Sequence, residues 1–195
     1  MPAPADLPDA ALDAATRLFW ERGYQAASVE ELVARTGLHR AAIYGSHGSK
    51  RRLYEALLRR YRERVLDPAM AAVAPLDASL DSVRSLFAGL GERALGPEGG
   101  LGCLVVLAGA GPGSELPGVA RIVEAHRAEL RSRLARALRN AQLRGEVRGE
   151  VEPGAAADFL TGAWMGLMGL ARSPAPRQAV QGCARGILDW LDRIR

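Results

Sequence analysis

Only two cysteines, Cys103 and Cys183, occur in 195 residues, and they lie far apart. That scarcity excludes a disulfide scaffold and fits free thiols in a reducing cytosol. The three histidines, His39, His47 and His126, share no metal-ligand spacing with each other or with the cysteines, so neither a metal nor a cofactor is expected. No stretch reaches the roughly 18 consecutive apolar residues that a membrane span requires. Residues 1–8 hold Pro, Ala and Asp, with no basic start and no long apolar run, which argues against a secretory signal. The expected setting is therefore cytoplasmic, with no membrane partner. There is no G-x-S-x-G elbow and no P-loop, and the Gly-rich stretch at 109–118 follows no convincing parallel strand. That stretch reads as a hinge or surface loop, and an enzyme is not expected. Lysine is nearly missing too: arginine outnumbers it 25 to 1, which with abundant alanine and glycine suggests a GC-rich bacterial genome.

Hydrophobic residues make up 48% of the chain, enough for a sizeable core. The length suits one small domain plus one medium domain. Net charge is only +4, but it is unevenly placed. From Arg35 to Arg64 nine Lys or Arg face two Glu, a local +7 that leaves −3 for the remainder. A basic patch on a near-neutral chain is the footprint of phosphate binding. Arg59, Arg60, Arg62 and Arg64 fit a solvated face of a long helix better than they fit DNA.

Residues 28–54 carry the sharpest signal. Ser28 followed by Glu31 is a capping box. Leu32 and Val33 give a short helix its inner face, and Gly37 ends it in the left-handed conformation. Leu38 and Ile43 are placed to staple a second helix with His39 at its N-cap. On that helix Arg40, Ala41 and Tyr44 fall near one face. Small residues at 41 and 42 let it lie close to a groove floor, and the Tyr44 hydroxyl can reach a phosphate oxygen. Ser49 then caps a long helix whose first turn carries Lys50, Arg51 and Arg52. Cations there oppose the helix dipole by roughly 0.3–1 kcal/mol each, so an anionic partner is indicated. Two helices around a tight turn, followed by a cationic helix start, describe a helix-turn-helix DNA reader.

The same residues resemble the DNA-binding domain of TetR-family transcriptional regulators over about Leu7 to Leu58. The ordered landmarks are Ala14-Ala15, Leu18-Phe19, Gly23-Tyr24, Ser28-Val29, Leu32-Val33, Thr36-Gly37-Leu38, Ile43-Tyr44, Gly48-Ser49-Lys50 and Leu53-Tyr54. The resemblance implies an all-α fold: a three-helix head with a helix-turn-helix, residues 1–52, joined by a long helix to a helical ligand-binding and dimerisation body, residues 53–195. It places Thr36, His39, Arg40, Ala41, Tyr44, Gly45 and Lys50 against double-stranded DNA. Ser28 and Arg51 complete the candidate contact set. His47 departs from the family, standing where an aromatic usually packs the third helix onto the core. Gly45 and Ser46 stand where bulkier residues are usual.

Periodicity predicts further helices over 9–22, 49–73 with a kink or early end at Pro68, 78–95, 101–109, 118–144, 154–171 and 176–194. Minor strands at 103–107 or 147–151 are possible. Gly162, Gly166 and Gly169 beside Trp164, and Ile187 and Leu191 on the closing helix, are the candidate homodimer interface, with an intrachain core as the other reading. Resemblance implies a small-molecule inducer inside the body. Candidate lining residues on apolar faces are Phe87, Leu90, Cys103, Val106, Leu107, Trp164 and Met168, which also suit an ordinary packed core. Leu101-Gly102-Cys103-Leu104 resembles a thiol-sensing branch of the family. A helix N-terminus would lower the Cys103 pKa and burial would raise it; a packed structural cysteine is the expectation. Two functions stay open: a repressor released from a palindromic operator by an inducer, or a DNA-binding architectural or interaction protein with no small-molecule ligand.

Overall fold

The computed structural model describes residues 7–195, and among them all regular structure is helical. The first six residues, which the sequence reading places in the head and where it expects no secretory signal, lie outside the described residues.

α1 (Asp9–Ala26) buries Ala11, Ala15, Leu18 and Phe19 along one stripe, as the three-and-four spacing dictates. Gly23 interrupts it at φ 78°, ψ 171°, a backbone state open to glycine because it lacks Cβ. α2 (Val29–Thr36) and α3 (Arg40–His47) bury only Leu32 and Ile43 respectively. α4 (Lys50–Tyr61) supplies Leu53, Tyr54, Leu57, Leu58 and Tyr61. The head core is thus built from α1 and α4, with each half of the helix-turn-helix pinned by one fully buried side chain. The Tyr54 ring lies 4.8 Å from Phe19 and 5.1 Å from Tyr24, between centroids.

The long helix expected over 49–73 ends early. Pro68 has no N–H to return to the preceding turn, and its ring crowds that turn. Just before it the hydrogen bonding widens into a π turn over Arg62–Leu66, and short turns carry the chain on to Val73. Arg136 then donates to the Val73 and Ala74 carbonyls, at 3.0 and 2.9 Å, holding this linker onto the body.

The body comprises α5 (Leu80–Leu95), α6 (Leu104–Ala110), α7 (Pro117–Leu143), α8 (Pro153–Arg172) and α9 (Arg177–Arg193). α7 packs on α8, and α9 on α5. The predicted stripe Ile122, His126, Leu130, Leu134 and Leu138 is buried. Neither candidate strand forms. Residues 104–107 open α6, and the turn at 147–151 has its carbonyls taken by Gln142, whose Nε2 donates to Arg148, Gly149 and Val151 at 3.1, 3.2 and 2.9 Å.

Head and body meet along α1 and α4. Trp20 Nε1 donates to the Leu101 carbonyl at 2.9 Å, and Arg172 donates to the Glu21 carbonyl at 2.7 Å. Arg62 pairs with Glu129 at 2.7 Å. A Cβ at Gly118 would sit 2.2 Å from the Glu55 carboxylate, the far end of a flexible side chain that would have to swing aside.

Candidate DNA-reading head and ligand cavities

The head presents its turn as the local chemistry dictates. Glu31 N–H donates to Ser28 Oγ and Ser28 N–H to Glu31 Oε2, both at 3.0 Å. Gly37 closes α2 at φ 68°, donating to Val33. Thr36 Oγ1 donates to the Leu32 carbonyl at 2.7 Å and accepts from Leu38 N–H at 3.2 Å. The side chains of Ser28 and Thr36 therefore build the turn, which limits what they can offer to another molecule.

α3 lies open along its outer face. His39 at the N-cap, Arg40, Ala41 and Gly45 are exposed, Tyr44 is half-buried, and Ile43 alone is buried inward. The Arg40 guanidinium sits 5.7 Å from the Tyr44 ring centroid and 3.6 Å from Glu30. Both contacts are exposed and weak, so the fork can swing to a new acceptor. His47, in place of the family's aromatic, has its Nδ1 2.7 Å from Ser46 Oγ and borders a cleft with Leu12, Leu57 and Arg60.

The cationic turn divides. Lys50 lies 4.8 Å over the Tyr24 ring and donates to the Gln25 carbonyl at 3.3 Å, and partial burial lowers its pKa. Holding phosphate would require it to give up part of that seat. Arg51, 4.0 Å from Glu55, is exposed. Arg52 is exposed, and among the described residues no carboxylate lies within 4.0 Å of it. It belongs with the candidate contact residues, and the Lys50-Arg51-Arg52 run was the signal for it.

Six of the seven candidate pocket residues divide between two clefts. Leu90 and Trp164 border a cleft of about 190 Å3 beside Pro68, Ala69 and Arg93. Cys103, Val106, Leu107 and Met168 border another, about 210 Å3, with Leu101 and Arg172 also on its lining. Phe87 lines neither and is packed in the core. In the second cavity burial pushes the Cys103 thiol up, outweighing the Val106 and Val105 amides and the Tyr61 hydroxyl that favour thiolate. Nearby in the core, His126 is fully buried, 6.1 Å from the Trp164 ring. Neither of its ring nitrogens nor Trp164 Nε1 has a hydrogen-bond partner among the described residues. Burial, then the charge of Arg62, lowers the His126 pKa to about 4; Glu129 opposes and Arg133 adds to the shift.

Of the interface candidates, Trp164, Ile187 and Leu191 are 1%, 5% and 0% exposed and pack in this chain's own core, the other reading that the sequence left open. Gly162, Gly166 and Gly169 lie on the opposite, open face of α8, with nothing within 4 Å of where a Cβ would stand. Gly182 and Gly186 are equally open on α9. Phe159, 49% exposed, packs at a tilt against Trp190, 4.8 Å between ring centroids.

Among the described residues no group of His, Cys, Asp and Glu could hold a metal ion, and no helix is long and apolar enough to cross a membrane.

Residues 11–57 match the family described as bacterial regulatory proteins, tetR family, and residues 79–187 match the tetracyclin repressor-like C-terminal domain. The chain belongs to the TetR family, and as such is a DNA-binding transcriptional regulator, not an enzyme. It is 28% identical over 189 residues to the HTH-type transcriptional repressor ComR of Escherichia coli K12, covering 96% of this chain and 90% of that one. It is 24% identical over 182 residues to the HTH-type transcriptional regulator YezE of Bacillus subtilis 168, covering 93% and 94%. Among solved structures, a cysteine mutant of the TetR family regulator CifR, complexed with 26bp double-strand operator DNA, superposes with TM-score 0.80 at 25% identity, covering 95% of this chain and 98% of that one.

Proposed function

We propose that this protein is a homodimeric, cytoplasmic repressor whose heads, residues 1–52, bind a palindromic operator in double-stranded DNA. A small-molecule inducer in the body, residues 53–195, releases it. The open outer face of α3 beside the cationic start of α4 carries this reading. Kinship with ComR, a repressor, and likeness to operator-bound CifR support it. One such head spans only a few base pairs, so two-fold pairing of chains and half-sites follows from geometry. The surface proposed for pairing is the open glycine face of α8 and α9 with the exposed Phe159 and the half-buried Trp190 beside it.

The experiment is selection of bound duplexes from a random pool, then anisotropy against selected and scrambled sequences as salt is raised. Selected DNA should bind tighter by about 10³-fold or more, and affinity should fall steeply with salt as counterions are released. Equal binding to both duplexes at moderate salt would leave a nonspecific architectural protein as the better reading. For the pairing surface, Gly166→Leu should weaken the dimer by about 1–3 kcal/mol through overpacking, read by sedimentation. An unchanged dimer would move the contact surface elsewhere.

A further inference from the structure

We propose that the cavity between α6 and α8 takes a small apolar carboxylate, which acts by drawing Arg172 off the first helix of the head. This rests on the inducer-release reading and gives it a ligand class and a route.

The cavity is about 210 Å3 and is walled by Leu101, Cys103, Val106, Leu107 and Met168, with Arg172 as its one charged lining residue. Among the described residues no carboxylate lies within 4.0 Å of Arg172, and its hydrogen bond is to the Glu21 main-chain carbonyl at 2.7 Å. A guanidinium carries five donors, and a cation beside an apolar wall with no counter-ion is under-compensated. A carboxylate supplies two parallel charge-assisted bonds, each stronger than a bond to a neutral carbonyl. The rest of the cavity offers aliphatic and sulfur surface. Its size falls below the roughly 300–1,000 Å3 of pockets for drug-sized molecules, which suits a benzoate or a short-chain fatty acid.

Arg172 also sits where release would matter. The carbonyls at a helix end lack intrahelical donors, and Gly23, at φ 78°, ends the regular part of α1 two residues after Glu21. Arg172 therefore acts as a C-cap borrowed from the body, with its charge at the favourable end of the helix dipole. One residue earlier, Trp20 is bonded to the carbonyl of Leu101, which also lines the cavity. Two lining residues thus grip the last regular turn of α1, and five residues beyond Gly23 the chain enters the helix-turn-helix at Ser28. A carboxylate that takes the guanidinium removes the cap and frees the direction in which the chain enters the reading helices.

The test uses the full-length protein with sodium benzoate as probe, benzyl alcohol as its neutral counterpart, and sodium chloride matched to the benzoate. Calorimetry reads binding, and anisotropy reads affinity for the selected operator. Benzoate should bind at least about tenfold tighter than benzyl alcohol and weaken operator binding about tenfold or more. Arg172→Met should abolish benzoate binding, while Arg172→Lys keeps a weaker response. The comparison of acid and alcohol on the wild type needs no variant, so it decides even if Arg172→Met fails to fold. Equal binding of acid and alcohol, no binding of benzoate, or benzoate binding that leaves operator affinity unchanged would each overturn the proposal. Calorimetry still reads the anion site if the protein binds no operator, so failure of the repressor reading is distinguishable from failure here.

Discussion

The head and the body solve opposite problems with the same helices. In the head, α2 and α3 each bury one side chain fully, and the candidate contact residues are those the core leaves outside: His39, Arg40, Ala41, Gly45 and Arg52. In the body, α7 alone buries ten residues, and whatever it does for function it does from within the core. Exposed function is free of packing constraints, so it can be changed without unfolding the chain. Buried function is tied to stability. The two regions should therefore respond to like substitutions in unlike ways, and glycine gives the largest contrast.

Gly102, in the body, has φ +65° and ψ −138°, a conformation that disfavours any side chain. A Cβ there would lie 2.5 Å from the Met168 carbonyl oxygen, which is backbone of α8 and cannot swing aside. Gly102→Ala should cost about 3–5 kcal/mol, combining backbone strain with overpacking. A denaturant melt checks it. A loss under about 1 kcal/mol would mean that the turn before α6 can rearrange, and that the body is less rigid than this comparison holds.

His126 gives the next largest effect and separates the regions by pH. It is fully buried, and its folded pKa is lowered to about 4 from 6.5. The unfolded chain therefore binds more protons between those values. Stability should be fully present above about pH 6.5 and fall as pH drops toward 4, by up to about 3 kcal/mol from this group. His126→Leu should flatten that part of the stability–pH curve. At each pH where both are folded, operator affinity of His126→Leu should match the wild type, since His126 is buried in the core of the body. An unchanged acid slope in His126→Leu would assign it to carboxylates such as Asp9, which Arg64 holds below its usual range.

What could be read from the sequence follows the same division. Ser28, Glu31 and Gly37 were legible because capping and left-handed closure involve residues within a few positions of each other. The outer face of α3 followed from the single inward Ile43. In the body, periodicity locates an apolar stripe but not what covers it. Trp164, Ile187 and Leu191 lie on such stripes and face this chain's own core, while the glycines beside them face outward. The candidate pocket divided for a similar reason: Leu90 and Met168 are both buried, and only long-range packing puts them on different cavities. The π turn before Pro68 left no local mark beyond the proline itself.

Within the head, Arg40 and Lys50 should separate reading from holding. Arg40 is exposed and only loosely engaged, and its fork can pair with guanine O6 and N7. Arg40→Ala should cost about 1–3 kcal/mol of operator affinity and relax preference at one position per half-site. Lys50→Ala should weaken all sequences alike. Lys50 is also seated on Tyr24 and the Gln25 carbonyl, so a small loss of stability should accompany it. Affinities over a panel of single-base operator variants decide between the roles. A uniform loss for Arg40→Ala with a selective one for Lys50→Ala would exchange them.

The smallest expected effect returns to glycine, now in the head. Gly45 lies inside α3, exposed, with nothing within 4 Å of a built Cβ and an ordinary helical backbone. Without DNA, Gly45→Ala should raise stability by up to about 1 kcal/mol, because alanine loses less entropy in a helix. The substitution that damages the body at position 102 should thus help the head at position 45. The gain is informative when set beside operator affinity. If DNA comes close to this face of α3, the added methyl meets it and affinity drops although the free protein is more stable. Opposite signs in the thermal melt and in the operator titration would place Gly45 at the DNA surface. A gain in stability with unchanged affinity would leave Gly45 outside the contact and concentrate reading on Arg40, Ala41 and Tyr44.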